Sequence, residues 1–179
     1  MVSFLIQSAF LFLVVLFQIS FLNVVFSQAS ANALLATTIA LILSRGFFAT
    51  WPWIIFLGFL SDVLSMDVVG VTPMVLIAFA YGISFLSRRF LVEHRASGTG
   101  LAVLFMIVAN IVYIPSIWIV RRMALGEPLS SDGLWTYVST EGMFAGMLVN
   151  SILFLLLYGI TLRISHALNF YEDRVVVKR

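Results

Sequence analysis

The sequence predicts an all-α, polytopic membrane protein with about six transmembrane helices in a single domain. Three observations carry that prediction. Of 179 residues, 62% are hydrophobic and only 10% are charged, with a mean hydropathy of +1.12. A soluble domain is roughly 45–50% apolar and about 25% charged, and even one of about 150 residues leaves roughly 30% of its chain surface in water. The apolar residues also fall in runs of about the 20 residues that cross a hydrocarbon core about 30 Å thick at about 1.5 Å per residue. Finally, the runs are continuous, whereas barrel strands would alternate. A soluble enzyme, a nucleic-acid binder and a disordered regulator are all excluded by this composition.

The first run is about Phe4–Phe26. Ala29-Ser30-Ala31 resembles a cleavage site, but residues 1–20 carry no charge, and a signal peptide needs a basic start and a shorter apolar core. The run is therefore read as a retained span. The second, short at its ends, is about Asn32–Ser44, closed by Arg45-Gly46: a cation on the carboxyl-terminal dipole, then a glycine cap. The third is about Phe47–Ser65, with Trp51-Pro52-Trp53 near the headgroups that indole rings prefer. Met66–Val71 reads as a turn, and Thr72-Pro73 as N-cap and first helical residue of a fourth span, about Pro73–Leu91. The fifth is about Leu101–Val120, in which Pro115 should kink the helix or end it early. The sixth is about Gly142–Ile164, so residues 1–164 form the bundle and 165–179 a short cytoplasmic tail.

Orientation follows from the cations. With both termini cytoplasmic, Arg45, Arg88, Arg89, Arg95, Arg163, Arg174, Lys178 and Arg179 lie inside, and Arg121 and Arg122 lie outside. Cytoplasmic loops are enriched in Lys and Arg, so this orientation is preferred. The longest outer connection, Arg121–Glu141, contains the turn Gly126-Glu127-Pro128. After it, Leu134, Trp135, Tyr137 and Val138 fit either one face of a short interfacial helix or a partly ordered loop.

Asp62 is the exceptional ionisable residue within a span, and intramembrane carboxylates are functional candidates because they are costly to keep there. Gly58 shares its face at i, i+4, which lets a neighbouring helix come close. The expected partners are the outer cations, Arg121 and Arg122. A structural pairing at the helix end and a binding or transport role both stay open. Asp67 reads as an ordinary turn residue. Gln7 and Gln18 fall on one face of the first helix, and with Asn23, Asn110 and Asn150 they suit either interhelical hydrogen bonds or a polar pocket. Close-approach spacings recur at Ala36/Ala40, Ala78/Gly82 and Gly142/Gly146. The basic stretch Ser87–Ser97 would face anionic lipid or an acidic partner, but its charges are already explained as topology determinants.

No catalytic constellation is legible. There is no cysteine, the two histidines (His94 and His166) are far apart, and no Walker A, His-Glu-x-x-His or Gly-x-Ser-x-Gly sequence occurs. No cofactor, metal or enzymatic activity is expected.

The run Gly58-Phe59-Leu60-Ser61-Asp62-Val63-Leu64-Ser65, followed by Val69-Gly70-Val71-Thr72-Pro73 and a helix closing on Arg88-Arg89, resembles the MreD family of rod shape-determining membrane proteins. The resemblance is concentrated in Trp53–Arg89, and otherwise rests on size and helix count. Ser61, Met66-Asp67 and Thr72-Pro73 depart from the commoner pattern. Membership would imply a non-enzymatic component of the bacterial cytoplasmic membrane. Such a protein works with MreC, the actin-like MreB and the RodA/class B transpeptidase pair to organise lateral peptidoglycan synthesis. Gly58, Asp62, Gly70, Pro73, Arg121 and Arg122 are then the candidate interaction residues. The alternative is a substrate-binding membrane subunit of a vitamin-type transporter. The energy-coupling factor substrate-binding component is thought to share the MreD fold, and fold alone does not fix function.

Overall fold

The computed structural model describes residues 2–25, 32–90, 98–129 and 140–176, with side chains described for 4–25, 32–87, 102–129 and 146–164. All of the regular structure among them is helical. Helix α1 (Val2–Phe17) runs through a π turn, Gln18–Leu22, into a last short stretch, Asn23–Val25. Then come α2 (Ala33–Arg45), α3 (Phe47–Leu64), α4 (Val71–Phe90), α5 (Gly98–Leu125) and α6 (Thr140–Val176). Four segments are long and apolar enough to cross a membrane: Phe4–Val25, Phe47–Leu64, Ala102–Leu125 and Gly146–Ile164. The architecture fits a multi-pass membrane protein.

Not every expected span is a full-length one. The apolar stretch Ala33–Arg45 falls short of a span, and α2 is a different kind of helix altogether. Its 13 residues reach only about 20 Å at about 1.5 Å per residue, well short of a hydrocarbon core of about 30 Å. Every residue from Ala33 to Ile42 is buried, and α2 packs against each of the other five helices. It is the axis of the bundle, and the others wrap it. A helix apolar on all sides belongs in a core, and the all-apolar-or-small run Ala33–Ile42, Thr37 and Thr38 included, meets that condition. Ala36 and Ala40, both wholly buried, let neighbours approach the axis closely. Lipid tails are as apolar as leucine, so this packing is held by van der Waals fit and hydrogen bonds.

The helix ends follow local chemistry. Gly46 takes φ +80° between α2 and α3, a conformation open to glycine, and its N–H closes on Ile42 O at 2.8 Å. Helix α5 does not stop at Pro115: it passes through to Leu125, about one turn beyond the expected end. It ends where Gly126 adopts φ +68°, with Gly126 N–H on Met123 O at 3.2 Å and Glu127 N–H on Arg122 O at 2.9 Å, the paired bonds of a Schellman cap. Helix α6 continues through the expected tail to Val176. The Leu134–Val138 face lies outside the described residues, as does the connection after Phe90 that holds Arg95 and Ser97.

Candidate functional site: the α3–α4 joint and the clasp on α2

Helix α3 ends in the same kind of cap as α5, but without a glycine. Met66 takes φ +52°, its N–H meets Val63 O at 3.4 Å, and Asp67 N–H meets Asp62 O at 3.0 Å. The Met66 side chain is 95% exposed, so the left-handed conformation is held by the two cap bonds and not by packing. The chain then reverses through Gly70 at φ +101° and enters α4 at Val71. Thr72 and Pro73 are therefore not N-cap and first residue, as the sequence suggested, but the second and third residues of the helix. Proline is equally acceptable there, because the first-turn N–H groups have no intrahelical acceptor.

Those orphan donors explain Asp62. Its carboxylate is 1% exposed, and Oδ2 accepts from Gly70 N–H at 2.8 Å and Thr72 N–H at 3.3 Å. Thus the backbone carbonyl of Asp62 closes α3 while its side chain caps α4. Negative charge at a helix N-terminus also opposes the positive end of the macrodipole. One turn earlier, Gly58 lies against Pro73: a Cβ built on Gly58 would sit 2.5 Å from Pro73 Cα and 2.6 Å from its nitrogen. Four of the candidate residues, Gly58, Asp62, Gly70 and Pro73, therefore meet at one joint.

The expected pairing of Asp62 with Arg121 or Arg122 is not what forms. Arg121 instead reaches Asp67, Nη2 to Oδ1 at 3.0 Å, while Arg122 contacts Glu127 at 3.4 Å and Pro128 O at 3.1 Å and lies 5.0 Å over the Trp118 ring. The physical reason is local supply: backbone donors eight and ten residues ahead in the chain bond to Oδ2 of the carboxylate without any cation. Asp67, read from sequence as an ordinary turn residue, is the actual tie between the α3–α4 turn and the end of α5. Both partners are partly exposed, 51% and 32%, so the tie is a weak one.

A second polar constellation sits on α2. A short helix buried inside the bundle leaves backbone groups that water cannot satisfy, and the amides of two neighbouring segments, with that of its own N-cap Asn32, supply the acceptors. Gln18 Oε1 accepts from Ala33 N–H at 2.6 Å, Asn150 Oδ1 from Asn32 N–H at 2.6 Å, and Asn32 Oδ1 from Leu35 N–H at 2.9 Å. Gln18 also donates to Asn23 at 2.9 Å. At the other end of α2, Arg45 donates through Nη1 to Gln7 Oε1. So Gln7, Gln18 and Asn150 do face inward, and they hold backbone groups and an arginine. Asn110, 2% exposed, has an Oδ1 with no partner among the described residues. The sequence signal for the clasp was present in the 13-residue length of α2: a helix that short needs caps brought from elsewhere.

Between α4 and α5 runs an open groove of about 270 Å³, almost wholly apolar, floored by Ala78, Gly82 and Ala109 and walled by Phe79, Phe105 and Val112. Among the described residues no group of three metal-binding side chains occurs. Comparison with protein-family models, with curated proteins and with solved structures finds no match for this chain.

Proposed function

We propose that this protein is a non-enzymatic component of the bacterial cell-elongation machinery, resident in the cytoplasmic membrane with both termini inside. In this reading it organises lateral peptidoglycan synthesis through contacts with an MreC-like protein, and with MreB and the RodA/class B transpeptidase pair. One observation carries the reading. The MreD-like residues Gly58, Asp62, Gly70 and Pro73 converge on a single helix joint, which gives the resembling segment a common physical purpose. That joint holds α3 and α4 in close contact, and Asp67 and Arg121 add a weak tie to the end of α5. A protein whose polar groups are spent on holding helices in register is suited to present fixed lateral surfaces to membrane partners. The positive-inside count puts the joint on the outer side, where a periplasmic partner would reach it.

The test is depletion in a rod-shaped bacterium that carries the protein. Rounding of the cells, reversed by the wild-type chain and not by Gly58→Leu, is the expected result. Unchanged rods after depletion would overturn the role. A defect in uptake of one small molecule, with shape intact, would favour the transporter alternative.

A further inference from the structure

We propose that α1 is a two-register helix, with the π turn Gln18–Leu22 as its joint, so that rotation of its first half is coupled to release of the buried helix α2. This concerns the fold and does not rest on the role in cell shape.

The first observation is the turn itself. Asn23 N–H bonds to Gln18 O, five residues back instead of four, so the helix stores a surplus residue there. Such turns occur mostly singly within α-helices, and often at functional positions. The second observation is independent and lies about three turns away. Gln7 is 4% exposed, yet its Nε2 has no acceptor among the described residues. A buried donor without a partner disfavours the register that buries it. The seam that α1 now presents is Gln7, Leu11, Val14, Val15 and Gln18.

Relaxation of the π turn to α geometry, with Leu22 held in place, turns the preceding half by up to the arc of one residue. That is about 100° and about 1.5 Å along the axis. The stripe one position later is Ser8, Phe12, Val15, Leu16 and Ile19. Ser8 and Ile19 already flank the seam half-buried, and Val15 is in it. This second stripe takes the unpaired Gln7 donor out of the seam, against the loss of the acceptors that Ala33 N–H and Arg45 now have. The same turn withdraws Gln18 from Ala33 N–H and Gln7 from Arg45, so both ends of the α1–α2 contact let go together. Any molecule that grips the lipid-facing side of α1 in one register would thereby act on the N-terminus of α2, the axis of the bundle.

The chain has no cysteine, so engineered pairs are its only thiols. In the described register Phe4 lies on Trp53, ring centroids 4.9 Å apart, and the second register brings Leu5 there. Disulfide formation is measured in membranes for Phe4→Cys/Trp53→Cys and for Leu5→Cys/Trp53→Cys, in the full chain and with Ser20 deleted to remove the surplus residue. Both pairs should form in the full chain, and only the first after the deletion. As a second readout that keeps every residue of the turn, Gln7→Glu removes the unpaired donor and keeps the acceptor for Arg45, so it should lower the yield of the Leu5 pair at least twofold. Failure of the Leu5 pair in the full chain overturns the proposal. Equal formation of both pairs with and without Ser20, or no response to Gln7→Glu, also overturns it, because mere looseness of α1 would then suffice.

Discussion

Gly58→Ala isolates the contact on which the α3–α4 joint is built. The added methyl carbon would lie 2.5, 2.6 and 2.8 Å from three atoms of Pro73, two of them backbone. No side-chain rotation can relieve this, so α3 and α4 must separate by about 1 Å to reach ordinary contact. Overpacking of this kind costs roughly 1–3 kcal/mol, against which the better helix propensity of alanine returns about 1 kcal/mol. Separation also lengthens the Asp62 bonds to Gly70 and Thr72, the second of which is already 3.3 Å, so the net loss should sit toward the upper part of that range. Gly82→Ala is the internal control. It adds the same methyl to α4, where nothing lies within 4 Å, and keeps only the gain in propensity. Thermal unfolding of the two variants in one mild detergent should show a clear fall in Tm for Gly58→Ala, and no fall or a small rise for Gly82→Ala. Equal shifts would refute the close approach of Gly58 to Pro73 as a determinant of the fold.

Asp62→Ala strips the cap from α4 and should cost about 2 kcal/mol, the upper end for loss of an N-cap, whereas Asp62→Asn retains an acceptor and should cost less than half as much in the same detergent assay. Exchanging Asp62 and Arg121 should not rescue either loss, since Arg121 is tied to Asp67; recovery of stability in the exchange would restore the direct pairing. Met66→Gly should raise stability by about 1 kcal/mol, because glycine takes positive φ without the penalty of a Cβ and the exposed methionine contributes no packing; an unchanged or lower Tm would argue against the left-handed cap. Asn150→Leu leaves the Asn32 N–H buried without its acceptor and should cost roughly 1–3 kcal/mol, read as a lower Tm and faster backbone hydrogen exchange at the start of α2.

How far the sequence reveals this fold depends on the kind of signal each feature leaves. Long apolar runs fix α1, α3, α5 and the start of α6 to within a few residues, because an uninterrupted run has one plausible use, whereas α6 continues past the apolar run to Val176. Gly46 and Gly126 mark helix ends, since a positive φ calls for glycine. Met66 does the same work and leaves no trace, for its conformation is set by hydrogen bonds to Asp62 and Val63 and not by its residue type. The partner of Asp62 was missed for a related reason: counting charges finds cations, while the donors that satisfy this carboxylate are peptide N–H groups, which every sequence has. Of the two effects expected of Pro115, early termination does not occur, because a helix loses one hydrogen bond there and a long apolar run on both sides outlasts it. The inward amides were visible as a face, but their purpose appears only once α2 is known to be too short to bring both ends to water.

The most direct test of the functional account is a mild-detergent capture of the tagged full-length protein from the membranes of its host, with co-purifying membrane proteins identified by mass spectrometry. The account predicts recovery of an MreC-like protein, alone or with the wall-synthesis pair, and loss of that recovery in Gly58→Leu. Recovery instead of paired ATPases with a transmembrane coupling subunit would contradict it, and would make the protein the capture component of a transporter.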